Sequence, residues 1–278
     1  MAREGAAHWR DMDPAALDAA YSNLRAVPEA PEILAGWAAA SARLRASRPS
    51  GLDRPYGSGE RERWDLFPGA NRGAPCLVFI HGGYWQRNRR EDFACLAEGA
   101  LAAGWSAALP GYTLAPEANL TRIADETRRA LDWLAAEGPG HGIAGPVLLS
   151  GWSAGGHLAA LLSGHPAVRA ALAISGIFDL EPIRGTTLND KLALSDEEIA
   201  GLSPIRLPSA ATPVAVAYGT RELPELQRQS RDFHARRSAA GGAGPLLPVE
   251  GRNHFDIMEE LRQPSGELLA AAGALLSA

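Results

Sequence analysis

The chain has 278 residues, 46% of them hydrophobic, and 27 basic against 32 acidic side chains give a formal charge of −5. That length and apolar content suit a large core in a single domain, and so weak a negative charge supplies no field to gather nucleic acid or anionic lipid, so neither a polynucleotide nor a membrane partner is expected. The first thirteen residues carry Arg3, Glu4, Arg10, Asp11 and Asp13 where a secretory signal would need an apolar segment, and no later run is long enough to span a bilayer, so a cytosolic protein is expected.

In chain order, Asp13-Pro14 reads as an N-cap followed by a first-turn proline, and Pro31 opens a second amphipathic helix through Ile33, Leu34, Trp37, Ser41 and Leu44. These helices, within residues 1–50, suit either a cap beside an active-site mouth or a cover over an edge of a sheet. Leu77–Ile80, Ser106–Leu109, Val147–Leu149, Ala171–Ile174, Val214–Tyr218 and Leu246–Val249 are apolar runs too continuous for a half-solvated sheet. Between them, Ile123, Thr127, Ala130, Leu131 and Leu134 recur at helical spacing, with Gly138 placed to stop the helix. Alternation of this kind predicts an α/β fold, a mostly parallel central sheet flanked by helices on both faces. The two cysteines, Cys76 in a strand and Cys95 in a helix, read as small buried hydrophobes rather than a disulfide.

The strand ending at Ile80 runs into His81-Gly82-Gly83-Tyr84-Trp85. Consecutive glycines there let backbone N–H groups face a ligand unobstructed, as an oxyanion hole requires, and each such donor is worth about 3 kcal/mol of barrier. Gly151-Trp152-Ser153-Ala154-Gly155 then follows an apolar strand and precedes a small-residue helix, the context of a nucleophile elbow. Ser153 is the expected nucleophile, and Gly82, Gly83 and Ala154 the expected oxyanion donors. An unactivated hydroxyl needs a base within hydrogen-bond reach. His254, in the loop after the last strand, is the choice; His157 competes but lies one helical turn along from the serine and points down the helix instead. The acid that orients the base is expected after Val214–Tyr218, where Glu222 lies in the strand-to-helix loop, with Asp179 as its rival.

These motifs make the chain resemble the α/β-hydrolase superfamily and, within it, the kynurenine formamidase (arylformamidase) branch. The resemblance rests on His81-Gly82-Gly83-Tyr84-Trp85, Gly151 through His157, and Asn253-His254-Phe255-Asp256-Ile257, together with Asp13-Pro14, Tyr21-Ser22 and Glu222 through Ser230. It implies an antiparallel edge strand, for which Arg63–Phe67 is the candidate, and a serine acyl-transfer mechanism without metal or cofactor. Where that family usually has aspartate, this chain has Glu222. The resemblance implies a small aryl formamide as substrate, and the alternative is a short-chain carboxylesterase of broad specificity. Tyr84, Trp85, Trp152 and Phe255 flank the catalytic candidates and, with Tyr21 from the N-terminal segment, are candidates for an aromatic-lined pocket, although some belong to the core on any reading. Arg87, Arg89 and Arg90 suit either a substrate carboxylate or a solvated loop. The partner expected is a small amide or ester, and the sequence leaves open whether the chain is a monomer or a homodimer.

Overall fold

The structure, a computed structural model, describes residues 8–277, so Arg3 and Glu4 of the charged N-terminus lie outside the described residues. Its strands are β1 (Arg54–Pro55), β2 (Arg63–Phe67), β3 (Cys76–Ile80), β4 (Ser106–Pro110), β5 (Val147–Trp152), β6 (Val168–Ile174), β7 (Val214–Gly219) and β8 (Leu246–Val249). They form one sheet in the order β1-β2-β4-β3-β5-β6-β7-β8. From β4 to β8 all neighbours are parallel, while β2 runs antiparallel to both β1 and β4. Arg63–Phe67 is therefore antiparallel, as the resemblance implied, but lies one place in from the edge, which the two residues of β1 occupy.

Every residue of β3, β4, β5 and β7 is buried, so the apolar runs of the sequence are continuous because both sheet faces are covered. Side chains alternate across the pleat: Cys76, Val78 and Ile80 enter one core, and Leu77 and Phe79 the other. The amphipathic helix spans Leu120–Glu137, but Gly138 does not end it in a left-handed cap. The chain tightens into a 3-10 turn over Gly138–His141, and Gly142, at φ 84°, makes the reversal. Cys95 likewise sits in a 3-10 segment, Arg90–Ala97, rather than an α-helix.

Connectivity decides where a site can form. The chain leaves β3 toward β4 on one side and enters β5 on the other, so the loops following β3 and β5 part company and leave a crevice above the carboxyl ends of those strands. The N-terminal segment packs on the body of the fold at two places. Asp13 caps the helix Pro14–Ala20 by accepting the Ala16 N–H at 2.8 Å. The longer helix, Ala30–Ser47, lies over the 3-10 segment Arg90–Ala97, where Ser41 Oγ accepts the Cys95 N–H and Trp37 packs on Phe93 and Trp152. The turn between these helices hangs over the crevice. No helix among the described residues is long and apolar enough to cross a membrane.

Candidate active site

β5 delivers Ser153 at φ 57°, ψ −117°, a conformation costing a non-glycine residue about 1–3 kcal/mol. Backbone bonds on both sides hold it there: Ser153 N–H donates to Ile174 O at 2.8 Å, and His157 N–H donates to Ser153 O at 3.0 Å. The flanking glycines are required by space. A Cβ on Gly151 would lie 2.2 Å from Gly155 O, and one on Gly155 would lie 2.0 Å from Ile80 O. The turn can pass between β3 and the helix Ala154–Leu161 only with bare backbone at both positions.

His254, in the loop after β8, is buried and fixed from three directions. Its Nδ1 is 3.0 Å from Glu222 Oε2, its carbonyl accepts the Trp152 indole N–H at 2.7 Å, and its ring centroid lies 5.0 Å from that of Trp152. A carboxylate can only accept, so Nδ1 carries the imidazole proton and Nε2 keeps its lone pair, the tautomer that takes a proton from a hydroxyl. Glu222 is buried beneath the loop after β7. Its Oε1 accepts from Ser175 Oγ at 2.6 Å and from Gly219 N–H at 2.7 Å. The ionised carboxylate thus has three donors, which offset the cost of its burial.

Ser153 and His254 line one cavity of about 300 Å³. Among the described residues no hydrogen bond joins their side chains; in unliganded hydrolases this contact is commonly long and closes around substrate. Asp179, the rival acid, does not reach the histidine. It accepts the Glu181 N–H at 3.2 Å from outside the helix Glu181–Arg184, whose N-cap is Leu180, and pairs with Arg206 at 3.0 Å. His157 is buried with Nε2 on Leu202 O at 2.8 Å, and burial pushes its pKa down to about 4. It packs; it does not face the serine.

The loop after β3 is a run of unusual backbone: Gly83 has φ 119°, Tyr84 52°, Trp85 57° and Asn88 73°. Gly82 O is held by the Asn88 side-chain amide at 3.0 Å and by His81 Nδ1 at 2.8 Å. Burial pushes the His81 pKa down to about 3, so the ring is neutral and its Nδ1–H is the donor. In a planar trans peptide the Gly83 N–H points opposite to that carbonyl. Among the described residues the amides of Gly82, Gly83 and Ala154 donate to no acceptor in the chain, and Gly83 lines the cavity. Ala154 adds the N-terminal end of the helix Ala154–Leu161, where partial positive charge favours an anion.

Of the aromatic candidates, Tyr21, Tyr84, Trp152 and Phe255 line the cavity and Trp85 does not. Trp85 is fully buried, packed edge-on against His157 at 5.0 Å, with its carbonyl accepting the Ala115 N–H. Positive φ at both Tyr84 and Trp85 turns these neighbours apart, one to the cavity and one to the core. The Tyr84 hydroxyl donates to Tyr21 O and accepts from the Asn23 amide, tying the N-terminal segment to the glycine loop. Sequence reasoning missed Ser175, Asn88, Asn23 and Arg25, the last three of which line the cavity. Only Ser175 carried a local signal, a serine directly after a strand and before a glycine.

The BD-FAE family matches residues 66–175, a span holding both the glycine loop and the elbow. Esterase B of Lactobacillus rhamnosus, 19% identical, shares the fold with a TM-score of 0.70 over 90% of this chain and 96% of its own. A protein from Silicibacter sp. TM1040, provisionally described as a thioesterase, is 30% identical and superposes with a TM-score of 0.82 over 92% of this chain and 98% of that one. The kynurenine formamidase of Salmo salar is 30% identical over 227 residues, 76% of either sequence. At that identity and coverage the chain belongs to the kynurenine formamidase family of α/β-hydrolases.

Proposed function

We propose that this hydrolase of amides or esters is an arylformamidase that takes N-formylkynurenine, acting through Ser153, His254 and Glu222 in one hydrolase domain capped by its first fifty residues. Ser153 Oγ attacks the formyl carbon as His254 Nε2 takes its proton. The oxyanion that forms is held by the amides of Gly82, Gly83 and Ala154. The C–N bond then breaks, the departing arylamine receives the proton from His254, and a formyl-serine remains. Water, deprotonated by the same imidazole, releases formate and restores the serine. Glu222 keeps Nδ1 protonated and stabilises the imidazolium in both halves.

The observation carrying this reading is the 3.0 Å Glu222–His254 contact beside a cavity that both His254 and Ser153 line. The relatives named kynurenine formamidase support the substrate, and the cavity's aromatic wall of Trp152, Phe255 and Tyr84 suits an aryl group. The test is a comparison of kcat/KM for N-formylkynurenine, a short p-nitrophenyl ester and a short acyl thioester on one preparation. The formamide is expected to lead by a wide margin. A clear lead for either of the others overturns the proposal in favour of an esterase or a thioesterase.

A further inference from the structure

Three arginines follow the glycine loop, and the structure separates them. Arg89 pairs with Asp92 at 3.1 Å, and the buried Arg90 is held by Asp53 and Asp65. Arg87 faces the cavity instead, exposed, and makes no ion pair among the described residues. A second arginine, Arg25, reaches the same cavity from the short helix Asn23–Ala26, also exposed and also unpaired among the described residues. The other charged or titratable groups of the wall are Asp18, whose Oδ1 already accepts the Thr187 N–H and hydroxyl, the phenols Tyr21 and Tyr84, whose pKa values burial raises, and His254, which faces Glu222.

Neither arginine sits on loose chain. Arg87 N–H donates to Gly83 O at 3.0 Å, and the neighbouring Asn88 anchors Gly82 O, so Arg87 belongs to the turn that shapes the glycine loop. Arg25 is two residues from Asn23, whose amide holds the Tyr84 hydroxyl. Two guanidinium groups on braced backbone thus reach a cavity with aromatic side chains in its wall, and the acid that lines it with them, Asp18, bonds Thr187 rather than either arginine. A guanidinium pairs with planar carboxylates through parallel N–H donors, and unpaired cations at a cleft also raise the local concentration of anions.

We propose that Arg25 and Arg87 form a carboxylate-recognition subsite, making the protein selective for aryl amides or esters that carry an anionic group on the side remote from the acyl carbon. The proposal rests on the cavity being the active site as read above, but not on the scissile group being a formamide.

The test measures a preference: kcat/KM for N-formylkynurenine divided by that for N-formylkynuramine, which lacks only the carboxylate, in the wild type and in Arg25→Ala, Arg87→Ala and the double variant. The same division is made for 3-acetoxybenzoate over phenyl acetate, so an enzyme that rejects formamides, which would overturn the formamidase reading, still tests the arginines on esters. In whichever pair the wild type cleaves, the acid is expected to be preferred. The double variant is expected to lose about tenfold or more of that preference, mostly in KM, as the loss of hydrogen bonds to a charged group implies. Arg87→Lys should restore part of it, and added salt should erode the preference in the wild type more than in the double variant. An acid-to-neutral ratio unchanged in the double variant, or a wild type indifferent to the carboxylate, overturns the subsite.

Discussion

Ser175 Oγ donates a 2.6 Å hydrogen bond to Glu222 Oε1, the carboxylate oxygen turned away from His254. The same oxygen takes the Gly219 N–H, while the Glu222 N–H returns to Gly219 O at 3.0 Å, so the side chain folds back over its own turn. That return consumes the extra methylene of a glutamate and leaves Oε2 at the imidazole. Ser175→Ala is expected to lower kcat about tenfold with KM little changed, since the hydroxyl orients the acid and does not meet substrate. Glu222→Asp, shorter by about 1.5 Å, should lose more because one carboxylate can no longer span both partners, and Glu222→Gln should cost about 10³–10⁴ in kcat through the wrong tautomer. Steady-state kinetics on the three variants checks the ranking; a Ser175→Ala enzyme with wild-type kcat would remove Ser175 from the relay.

The strained serine gives a prediction that separates stability from activity. At φ 57° and ψ −117° Ser153 occupies backbone that glycine adopts freely. Alanine normally stabilises a chain relative to glycine through the unfolded state, yet here the order should invert. Ser153→Gly is expected to be about 1 kcal/mol more stable than Ser153→Ala in denaturant unfolding, with both losing about 10⁴-fold or more of kcat. An alanine variant equal to or more stable than the glycine one would mean that the turn is not strained.

Gly83 tests the glycine loop. A Cβ there would meet Arg87 O at 2.6 Å and the Asn88 amide at 2.8 Å, on backbone at φ 119°. Gly83→Ala should therefore displace the peptide proposed as an oxyanion donor and cost about 10²–10³ in kcat, the loss typical of one such donor. Wild-type kcat in a folded Gly83→Ala protein would exclude this amide from the hole.

The parts of the site that were legible in the sequence are those governed by local rules. A strand, a serine between glycines and a small-residue helix can be read because close backbone crossing forces the glycines, and Glu222 and His254 follow because loops after parallel strands gather at one sheet edge. Ser175 was not legible as Glu222's partner, because a contact across 47 residues depends on neighbouring strands in the sheet. Trp85 was misread for a different reason. Tyr84 beside it lies at the cavity, but both residues are in a left-handed turn that rotates the next side chain round into the core, and composition does not announce such a turn. Gly138 likewise looks like a helix stop, although the reversal is made four residues later at Gly142, after a 3-10 turn that propensity alone does not distinguish.

Buried His157 and His81 add to the destabilisation of the fold in acid. Burial holds both imidazoles neutral in the fold, with pKa values pushed down to about 4 and about 3 from an ordinary 6.5. Unfolding exposes them, and below about pH 6.5 the unfolded chain binds protons that the folded one refuses, so falling pH favours unfolding. Neither residue affects the pH dependence above that value. Below it each should steepen the loss of stability by about 1.4 kcal/mol per pH unit until the folded-state pKa is reached. Glutamine at 157 keeps a donor for Leu202 O, which His157 Nε2 meets at 2.8 Å, and removes the titration. His157→Gln is therefore expected to lose some stability at pH 7.5 through poorer packing on Trp85, yet to show a shallower fall between pH 6 and pH 4.5, by about 1.4 kcal/mol per unit. Urea unfolding at several pH values measures both quantities, and a variant whose slope matches the wild type would show that His157 does not carry this sensitivity.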